Sequence, residues 1–247
     1  MQRILILGGT AEARRLAQHL AGRAELAVVL SLAGRTASPI TQPVPVRIGG
    51  FGGVEGLADY LRAQRIDALI DATHPYAANI SANAVRAVAQ VRIPFITLRR
   101  PSWSQVAGDR WTEVADVMEA VTALGTASRR VFLTLGRKEL APFAGAPQHH
   151  YLVRSVDPVD PPLAVPSACY ITARGPFAQA DEQVLLAQQR IDILVTKNSG
   201  GSATYGKIAA AHTLRLPVIV LRRPALSAAP TVETVEEALA WLDHASP

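Results

Sequence analysis

A glycine-rich turn near the N-terminus offers the first chemistry in this chain. The segment Gly8-Gly9-Thr10-Ala11-Glu12-Ala13 follows the apolar run Ile4–Leu7 and opens a stretch of apolar residues at helical spacing. A strand, a tight turn and a helix in this order present backbone N–H groups and the positive end of the helix to a phosphate. Thr10 and Ala13 replace the second and third glycines of G-x-G-x-x-G, so a plain tight turn is the alternative to nucleotide binding.

The end of the next predicted strand, Leu26–Leu30, indicates which nucleotide is bound. NAD-binding sites usually carry an Asp or Glu about 20 residues after the glycines, where it holds the ribose 2′-hydroxyl. The segment Ser31–Thr36 has no acid and supplies two hydroxyls and the Arg35 guanidinium, whose planar fork can bind two phosphate oxygens. The sequence therefore favours NADP over NAD, with a solvated loop charge as the alternative for Arg35.

His74 is a candidate for positioning or protonating a ligand. It follows the predicted strand Ala68–Asp71, and histidine titrates near neutral pH. A structural role is the alternative for a single histidine after a buried strand. His149 and His150 lie in a polar loop without a third ligand, so no metal site is expected.

Cations and free amides recur at predicted strand ends in the second half of the chain. They comprise the turn Gly136-Arg137-Lys138, the turn Lys197–Gly201, Lys207 in the following helix, and Arg174. Open α/β sheets bind ligands at strand ends, and these groups suit carboxylates. Each could alternatively be a solvated face. The turn at Gly136 has one glycine and is not expected to bind a dinucleotide.

Alternating strands and helices must position these residues. Strands are predicted at Ile4–Leu7, Leu26–Leu30, Val44–Ile48, Ala68–Asp71, Phe95–Leu98, Ile193–Thr196 and Val218–Leu221, and helices at Val54–Gln64, Ala77–Val91, Val114–Leu124 and Val232–Leu242. The proline-rich stretch Pro158–Pro166 is predicted as a loop. Alternation at these lengths implies right-handed βαβ crossovers and a mostly parallel sheet.

An internal repeat sets the domain organisation. The segment Val91–Pro101 returns as Leu214–Pro224, and neighbouring segments recur in the same order. Two copies of one supersecondary plan are indicated, so the predicted fold class is α/β, with two similar Rossmann-like domains, mostly parallel sheets and an interdomain cleft. The domains are expected at 1–101, which would bind NADP, and 102–247. The helix that ends either copy could pack on the opposite half.

Composition bounds the class of protein. The 247 residues are 49% hydrophobic, 18% charged and 5% aromatic, as expected of parallel strands covered by helices. The formal net charge of +5 suits a polyanionic ligand, and the Lys-rich runs of nucleic-acid binders are missing. Cys169 is the single cysteine, and no apolar run has the length of a signal peptide or a membrane span. A soluble cytoplasmic protein is therefore expected.

Five segments together resemble the precorrin-6A reductase family of cobalamin biosynthesis. They are Ile4–Ala13, Ser31–Thr36, Gly49–Gly53, Asp71–Ala77 and Lys197–Gly201. The resemblance covers nearly the whole chain and implies an NADPH-dependent reduction of one macrocycle double bond, precorrin-6A to precorrin-6B, or of the cobalt-containing counterpart. It also implies two Rossmann-like domains around a cleft. A polycarboxylate tetrapyrrole fits the cations at the predicted strand ends, which would attract and orient it.

This resemblance assigns the site residues in three groups. The cofactor contacts are Gly8, Gly9, Thr10, Glu12, Ser31, Arg35, Thr36, Gly50, Phe51, Gly52 and Thr73, with the Gly49–Gly53 loop near the nicotinamide. The catalytic candidates are His74, Tyr76 and Lys197. The substrate contacts are Arg137, Lys138, Arg174, Ser199, Gly200 and Lys207. Hydride chemistry belongs to the nicotinamide, so the protein is expected to supply orientation and to exclude water.

Two other functions are compatible with the residues. The first is a transferase that binds another nucleotide, such as a sugar nucleotide, between two Rossmann-like halves. The second is a non-catalytic module, either a nucleotide sensor or a nucleic-acid binder drawn by the positive charge. Neither G-x-S-x-G nor Tyr-x-x-x-Lys is present. The oligomeric state stays open, a monomer included.

Overall fold

The chain folds into two compact units. The structure is a computed structural model that describes residues 1–34 and 40–245. Unit 1 comprises Met1–Pro101 and Pro224–Pro247, and unit 2 comprises Ser102–Arg223. Arg35 and Thr36, two of the predicted cofactor contacts, lie outside the described residues.

Strands and helices alternate along both units. The strands are β1 Gln2–Leu7, β2 Leu26–Leu32, β3 Val46–Ile48, β4 Ala68–Asp71, β5 Phe95–Leu98, β6 Arg110–Val114, β7 Arg130–Thr134, β8 His150–Ser155, β9 Ala168–Thr172, β10 Ile193–Lys197, β11 Pro217–Leu221 and β12 Thr231–Val232. The α-helices are α1 Ala11–Leu20, α2 Val54–Ala63, α3 Ala78–Val91, α4 Val117–Ala123, α5 Gln179–Gln188, α6 Gly206–Thr213 and α7 Val235–Ala245. None of the helices within these described ranges is both long enough and apolar enough to span a bilayer.

Unit 1 is built on one six-stranded parallel sheet in the order β3-β2-β1-β4-β5-β12. Its central strand β1 is buried on both faces. Ile4 and Ile6 belong to the core formed with α1 and α7, and Leu5 and Leu7 to the core formed with α2 and α3. Burial of both faces explains the continuous apolar run in β1. The chain leaves β1 for β2 and later returns to β4, so a topological switch point lies between β1 and β4.

Unit 2 repeats this architecture in the order β9-β8-β7-β10-β11-β6, again with every pair parallel. Its core includes Phe132 and Leu194 from the sheet, Leu186 from α5 and Ile208 from α6. The matching switch point lies between β7 and β10. The equal strand orders confirm the predicted α/β class with two Rossmann-like halves.

Each sheet ends with a strand from the other sequence copy. β6 follows β5 in the chain but pairs with β11, and β12 follows β11 but pairs with β5. The helices that follow these strands are exchanged as well. α4 packs on β6 and β11, and α7 packs on α1 and β5. Pro224–Pro247 therefore belongs to unit 1, whereas the sequence-based division gave 102–247 to the second domain. Both divisions break after Pro101.

Capping boxes fix where the exchanged strands end and the helices begin. Asp116 Oδ1 accepts a hydrogen bond from Glu119 N (2.9 Å), and Glu119 Oε2 accepts one from the backbone just before Asp116 (2.7 Å). Thr234 and Glu237 form the equivalent pair ahead of α7. The boxes start α4 and α7 three residues later than the sequence-based helices. The first residues of the sequence-based helices, Val114 and Val232, are the last residues of β6 and β12 instead.

Candidate functional site

Thr10 fixes the turn that follows β1 at the switch point of unit 1. It is the N-cap of α1, and its Oγ1 accepts a hydrogen bond from Ala13 N (3.1 Å). The same hydroxyl donates to Ala72 O (2.8 Å), directly after β4. One side chain therefore ties the start of α1 to the end of the neighbouring strand.

The two glycines before Thr10 are required for different steric reasons. Gly9 has a φ of +118°, a region that glycine enters without strain, and it is exposed. A Cβ on Gly8 would lie 2.5 Å from Leu30 Cδ1, so β1 and β2 pack here without room for a side chain. The predicted phosphate turn thus has an open backbone at the positive end of α1.

Glu12 in the first turn of α1 is paired with Arg100. Arg100 Nη1 lies 2.5 Å from Glu12 Oε2, and the two side chains are only 15% and 20% exposed. An unpaired carboxylate at this end of the helix would repel a phosphate, and the guanidinium offsets its charge. The sequence predicted Glu12 as a cofactor contact and did not predict its pairing with Arg100, which is 88 positions away.

Arg47 is a second cation that the sequence did not single out. It lies on β3, and its Nη1 is 3.5 Å from Oγ of Ser31, a buried residue of β2. Its Nη1 donates to Gly49 O (2.6 Å) and its Nη2 to Gly50 O (2.8 Å), while the guanidinium carbon lies 3.8 Å from the centroid of the Phe51 ring. Arg47 therefore fixes the Gly49–Gly53 loop. The order of the sheet puts this loop on the β2 side of unit 1, away from β4 and β5.

Asp71 organises the segment that ends β4. This buried carboxylate accepts hydrogen bonds from Thr73 N (3.0 Å) and Thr73 Oγ1 (2.7 Å) through Oδ1, and from Ser81 Oγ (2.6 Å) through Oδ2. The bonds hold Thr73, a predicted cofactor contact, against the start of α3.

His74 and Tyr76, two catalytic candidates, lie together next to this segment and are half-buried. Tyr76 N donates to His74 Nδ1 (3.3 Å), and the ring centroids are 5.7 Å apart. Because Nδ1 accepts, a neutral His74 carries its proton on Nε2. The hydrogen bond from Tyr76 N therefore fixes the tautomer of a neutral His74 ring.

The turn after β10 in unit 2 is clamped from both sides. The side chain of Asn198 accepts from Trp103 N (2.7 Å) and donates to Trp103 O (2.9 Å), and Trp103 Nε1 donates to Gly201 O (2.8 Å). Arg223 Nε donates to Asn198 O (2.9 Å), and its Nη2 donates to Ser199 O (3.1 Å). The predicted contacts Ser199 and Gly200 thus lie in a turn held by Trp103 and Arg223, and neither set of contacts was predicted from the sequence.

Lys197, the third catalytic candidate, is tied to the turn after β7. Its Nζ is paired with Glu139 Oε1, and the other oxygen of Glu139 accepts from Gly136 N (2.7 Å). Arg137 and Lys138 in the same turn are exposed. Since β7 and β10 are neighbours, the structure brings these three cations to one edge of the sheet.

Lys207 lies in the interior of unit 2 rather than at its surface. The residue is 4% exposed, and its Nζ donates to Thr204 O (3.0 Å). Arg154 and Glu182 form a buried bidentate pair nearby (2.5 and 2.8 Å). The pKa of Lys207 is lowered to about 7, mainly because the amino group is buried and also because of the nearby charge of Arg154, while the charge of Glu182 acts in the opposite direction.

Arg174 is the predicted substrate contact farthest from the other cations in the order of the sheet. It is exposed and follows β9, the edge strand two places from β7. Within the described ranges, no group of three or more His, Cys, Asp or Glu side chains could hold a metal ion.

Similarity to known proteins assigns the chain to a family. The family model described as precorrin-6x reductase CbiJ/CobK matches residues 3–243. The chain belongs to this family. The family is one of reductases, which favours the first of the three functions considered from the sequence over the transferase and the binding module.

Individual members of the precorrin-6x reductase family are similar over nearly their whole length. A precorrin-6A reductase from Sinorhizobium sp is 55% identical, over 98% of this chain and 93% of that protein. The precorrin-6A reductase of Rhodobacter capsulatus is 49% identical, over 99% and 97%. A cobalt-precorrin-6A reductase from Priestia megaterium is 30% identical, over 95% of both.

A solved structure of the family has the same fold. The structure of CobK precorrin-6A reductase superposes with a TM-score of 0.95 at 48% identity, covering 100% of this chain and 98% of that one. The twofold Rossmann-like architecture is therefore a property shared with this family member.

Proposed function

We propose that this protein uses NADPH to reduce one double bond of precorrin-6A, giving precorrin-6B, in cobalamin biosynthesis. The observation that carries the proposal is the open turn at Gly8–Thr10 on the carboxyl edge of a parallel sheet, in a chain 55% identical to a precorrin-6A reductase. The cobalt-free substrate is preferred because the cobalt-precorrin relative is only 30% identical.

The residues of unit 1 fit a dinucleotide. Gly8, Gly9 and Thr10 hold the pyrophosphate at the start of α1, where backbone N–H groups and the helix dipole favour an anion. The pairing of Glu12 with Arg100 removes the repulsion that a free carboxylate would cause. When bound, the nucleotide supplies the hydride for the reduction.

Selectivity for NADPH is assigned to the end of β2. Ser31 lies there, and the sequence from Ser31 to Thr36 contains no acidic residue. The Arg47 guanidinium lies next to the Ser31 hydroxyl. The sequence-based assignment of Arg35 and Thr36 to the 2′-phosphate of NADPH concerns residues outside the described ranges. Because β3 borders β2, we place the Gly49–Gly53 loop with Phe51 at the adenosine end of the nucleotide. The sequence-based hypothesis had put this loop near the nicotinamide.

The end of β4 supplies the groups suited to proton handling. Asp71 orients Thr73 through two hydrogen bonds, and Tyr76 N holds the Nδ1 atom of His74. Tyr76 packs against the His74 ring and fixes its orientation. We assign to His74 the positioning or protonation of the substrate.

Unit 2 supplies cations for the carboxylates of the macrocycle. Arg137, Lys138 and Arg174 are exposed, and Lys197 is held by Glu139 at the same edge as the rigid Ser199-Gly200 turn. Lys207 is buried, so we assign it to the packing at the start of α6 instead of to substrate contact.

The experiment is a reduction assay with purified protein, precorrin-6A and either NADPH or NADH. Loss of the reduced-nicotinamide absorbance should require both protein and macrocycle, and NADPH should be used far better than NADH. The balance is one substrate, one NADPH and one proton giving precorrin-6B and NADP⁺. Absence of turnover with precorrin-6A would reject the proposed reaction. Equal use of NADPH and NADH would reject the assignment of the cofactor.

A further inference from the structure

Arg99 is a cation at the carboxyl edge of the unit 1 sheet to which the proposed function gives no role. It is the first residue after β5, and its backbone N donates to Val232 O on β12 (2.8 Å). The internal repeat gives it a counterpart, Arg222, directly after β11. Arg222 is exposed, whereas Arg99 is half-buried.

One nitrogen of the Arg99 guanidinium has no hydrogen-bond partner within the described part of the chain. That nitrogen, Nε, is buried. Burial lowers the pKa of Arg99, and the charge of Asp71 only partly opposes this. Both oxygens of Asp71 are already accepting from Thr73 and Ser81. A buried donor atom without a hydrogen-bond partner is costly, and an anion bound to the half-buried guanidinium would relieve the cost.

Strand register gives the face on which Arg99 lies. Asp71 on β4 pairs with Thr97 on β5, and alternate residues of a strand share a face. Arg99, two positions beyond Thr97, is therefore on the same face as Asp71, which contacts α3 through Ser81. The ends of β4 and β5 are one and two strands away from the phosphate turn after β1.

We propose that Arg99 binds an oxyanion, and specifically a carboxylate of the tetrapyrrole substrate, a role that rests on the proposed function. The planar guanidinium pairs with both oxygens of a carboxylate, and its desolvated position strengthens such a pair. A phosphate of the nucleotide has the same chemistry. The carboxylate is favoured because the phosphate turn follows β1, whereas Arg99 follows β5.

The test compares Arg99→Leu with the matched variant Arg222→Leu. Wild-type turnover of NADPH with precorrin-6A first establishes the proposed function independently. Arg99→Leu should then raise the KM for precorrin-6A by about tenfold to a hundredfold, the value of one charge-assisted pair, and leave the KM for NADPH unchanged. Arg222→Leu should change neither constant. The ligand-free Arg99→Leu protein should melt no lower than the wild type, because the variant no longer buries an Nε donor that has no hydrogen-bond partner.

The other possible results show either that the bound anion is a phosphate or that Arg99 binds no anion. A higher Kd for NADP⁺ with an unchanged KM for precorrin-6A would support the oxyanion site and identify the anion as a phosphate. Unchanged constants for both ligands would overturn it. A lower melting temperature without any change in either constant would also overturn it, because Arg99 would then be a structural partner of Asp71. Arg99→Gln, which keeps two donors but no charge, should show the same KM effect and serves if the Leu variant does not fold.

Discussion

The buried amino group of Lys207 makes a quantitative prediction for the pH dependence of stability. Its pKa is about 7 in the folded protein against an ordinary 10.5. Between these values the unfolded chain binds more protons than the native protein, so the contribution of Lys207 makes stability rise with pH. The slope approaches about 1.4 kcal/mol per pH unit, which amounts to roughly 2 kcal/mol between pH 7 and pH 9.

Lys207→Met should remove this dependence. Methionine keeps a flexible apolar stem of similar length and has no proton to lose, and the Arg154–Glu182 pair stays balanced. Urea unfolding at several pH values, followed by tryptophan fluorescence, gives the free energies, since Trp103 lies 5.1 Å from the Lys207 amino group. The stability of the wild type relative to the variant should increase by about 2 kcal/mol from pH 7 to pH 9.

Lys138→Met provides the control for this experiment. Lys138 is an exposed lysine of the same unit, and its replacement should leave the pH profile of the wild type intact. Parallel pH profiles for the wild type and Lys207→Met would refute the reasoning, because the amino group would then titrate alike in both states.

Three further substitutions test the geometry of the two units. Arg47→Ala should raise the KM for NADPH by about tenfold or more and change that for NADH much less, because a charge-assisted contact is removed; equal changes in steady-state assays would exclude Arg47 from recognition of the 2′-phosphate. Thr10→Val should cost about 1 kcal/mol in urea unfolding through loss of the N-cap and should weaken NADP⁺ binding in calorimetry; an unchanged Kd would separate the cap from the nucleotide site. Asn198→Ala should cost about 1–3 kcal/mol, because the backbone N and O of Trp103 lose their partners; a loss much smaller than this would show that water replaces the amide.

Continuous apolar runs allowed the central strands to be predicted from the sequence. β4 and β5 were predicted with the bounds that the structure has, because both are short apolar segments that end at polar residues. β6 and β12 were missed, since one is largely polar and the other has two residues. Both form only by pairing with a strand distant in sequence.

The exchange of strands between the units could not be predicted for a related reason. The repeat gives β5 and β11 nearly the same sequence, so either offers the same edge to β6 or β12. Local patterns carry no information that distinguishes the two pairings. The sequence therefore predicts the duplication and leaves the partner open.

The site residues also divide into those set by local sequence and those set by contacts between distant segments. The turn at Gly8–Thr10 was predicted because its steric requirements are local. The clamp of Asn198 on Trp103 spans 95 positions, and no local pattern reveals it. Lys207 in the first turn of α6 was predicted as a substrate contact, because lysine side chains are usually exposed. Only the packing around Lys207 in the structure shows that the residue is buried.

Isotope transfer from the nucleotide shows whether NADPH reduces the macrocycle. NADPH carrying deuterium at both C4 positions is incubated in ordinary water with the protein and precorrin-6A, and the reduced macrocycle is analysed by mass spectrometry. The account predicts a product that carries one deuterium, delivered from the nicotinamide to a ring carbon. A reduced product without deuterium, or unchanged precorrin-6A while the nucleotide remains reduced, would contradict it.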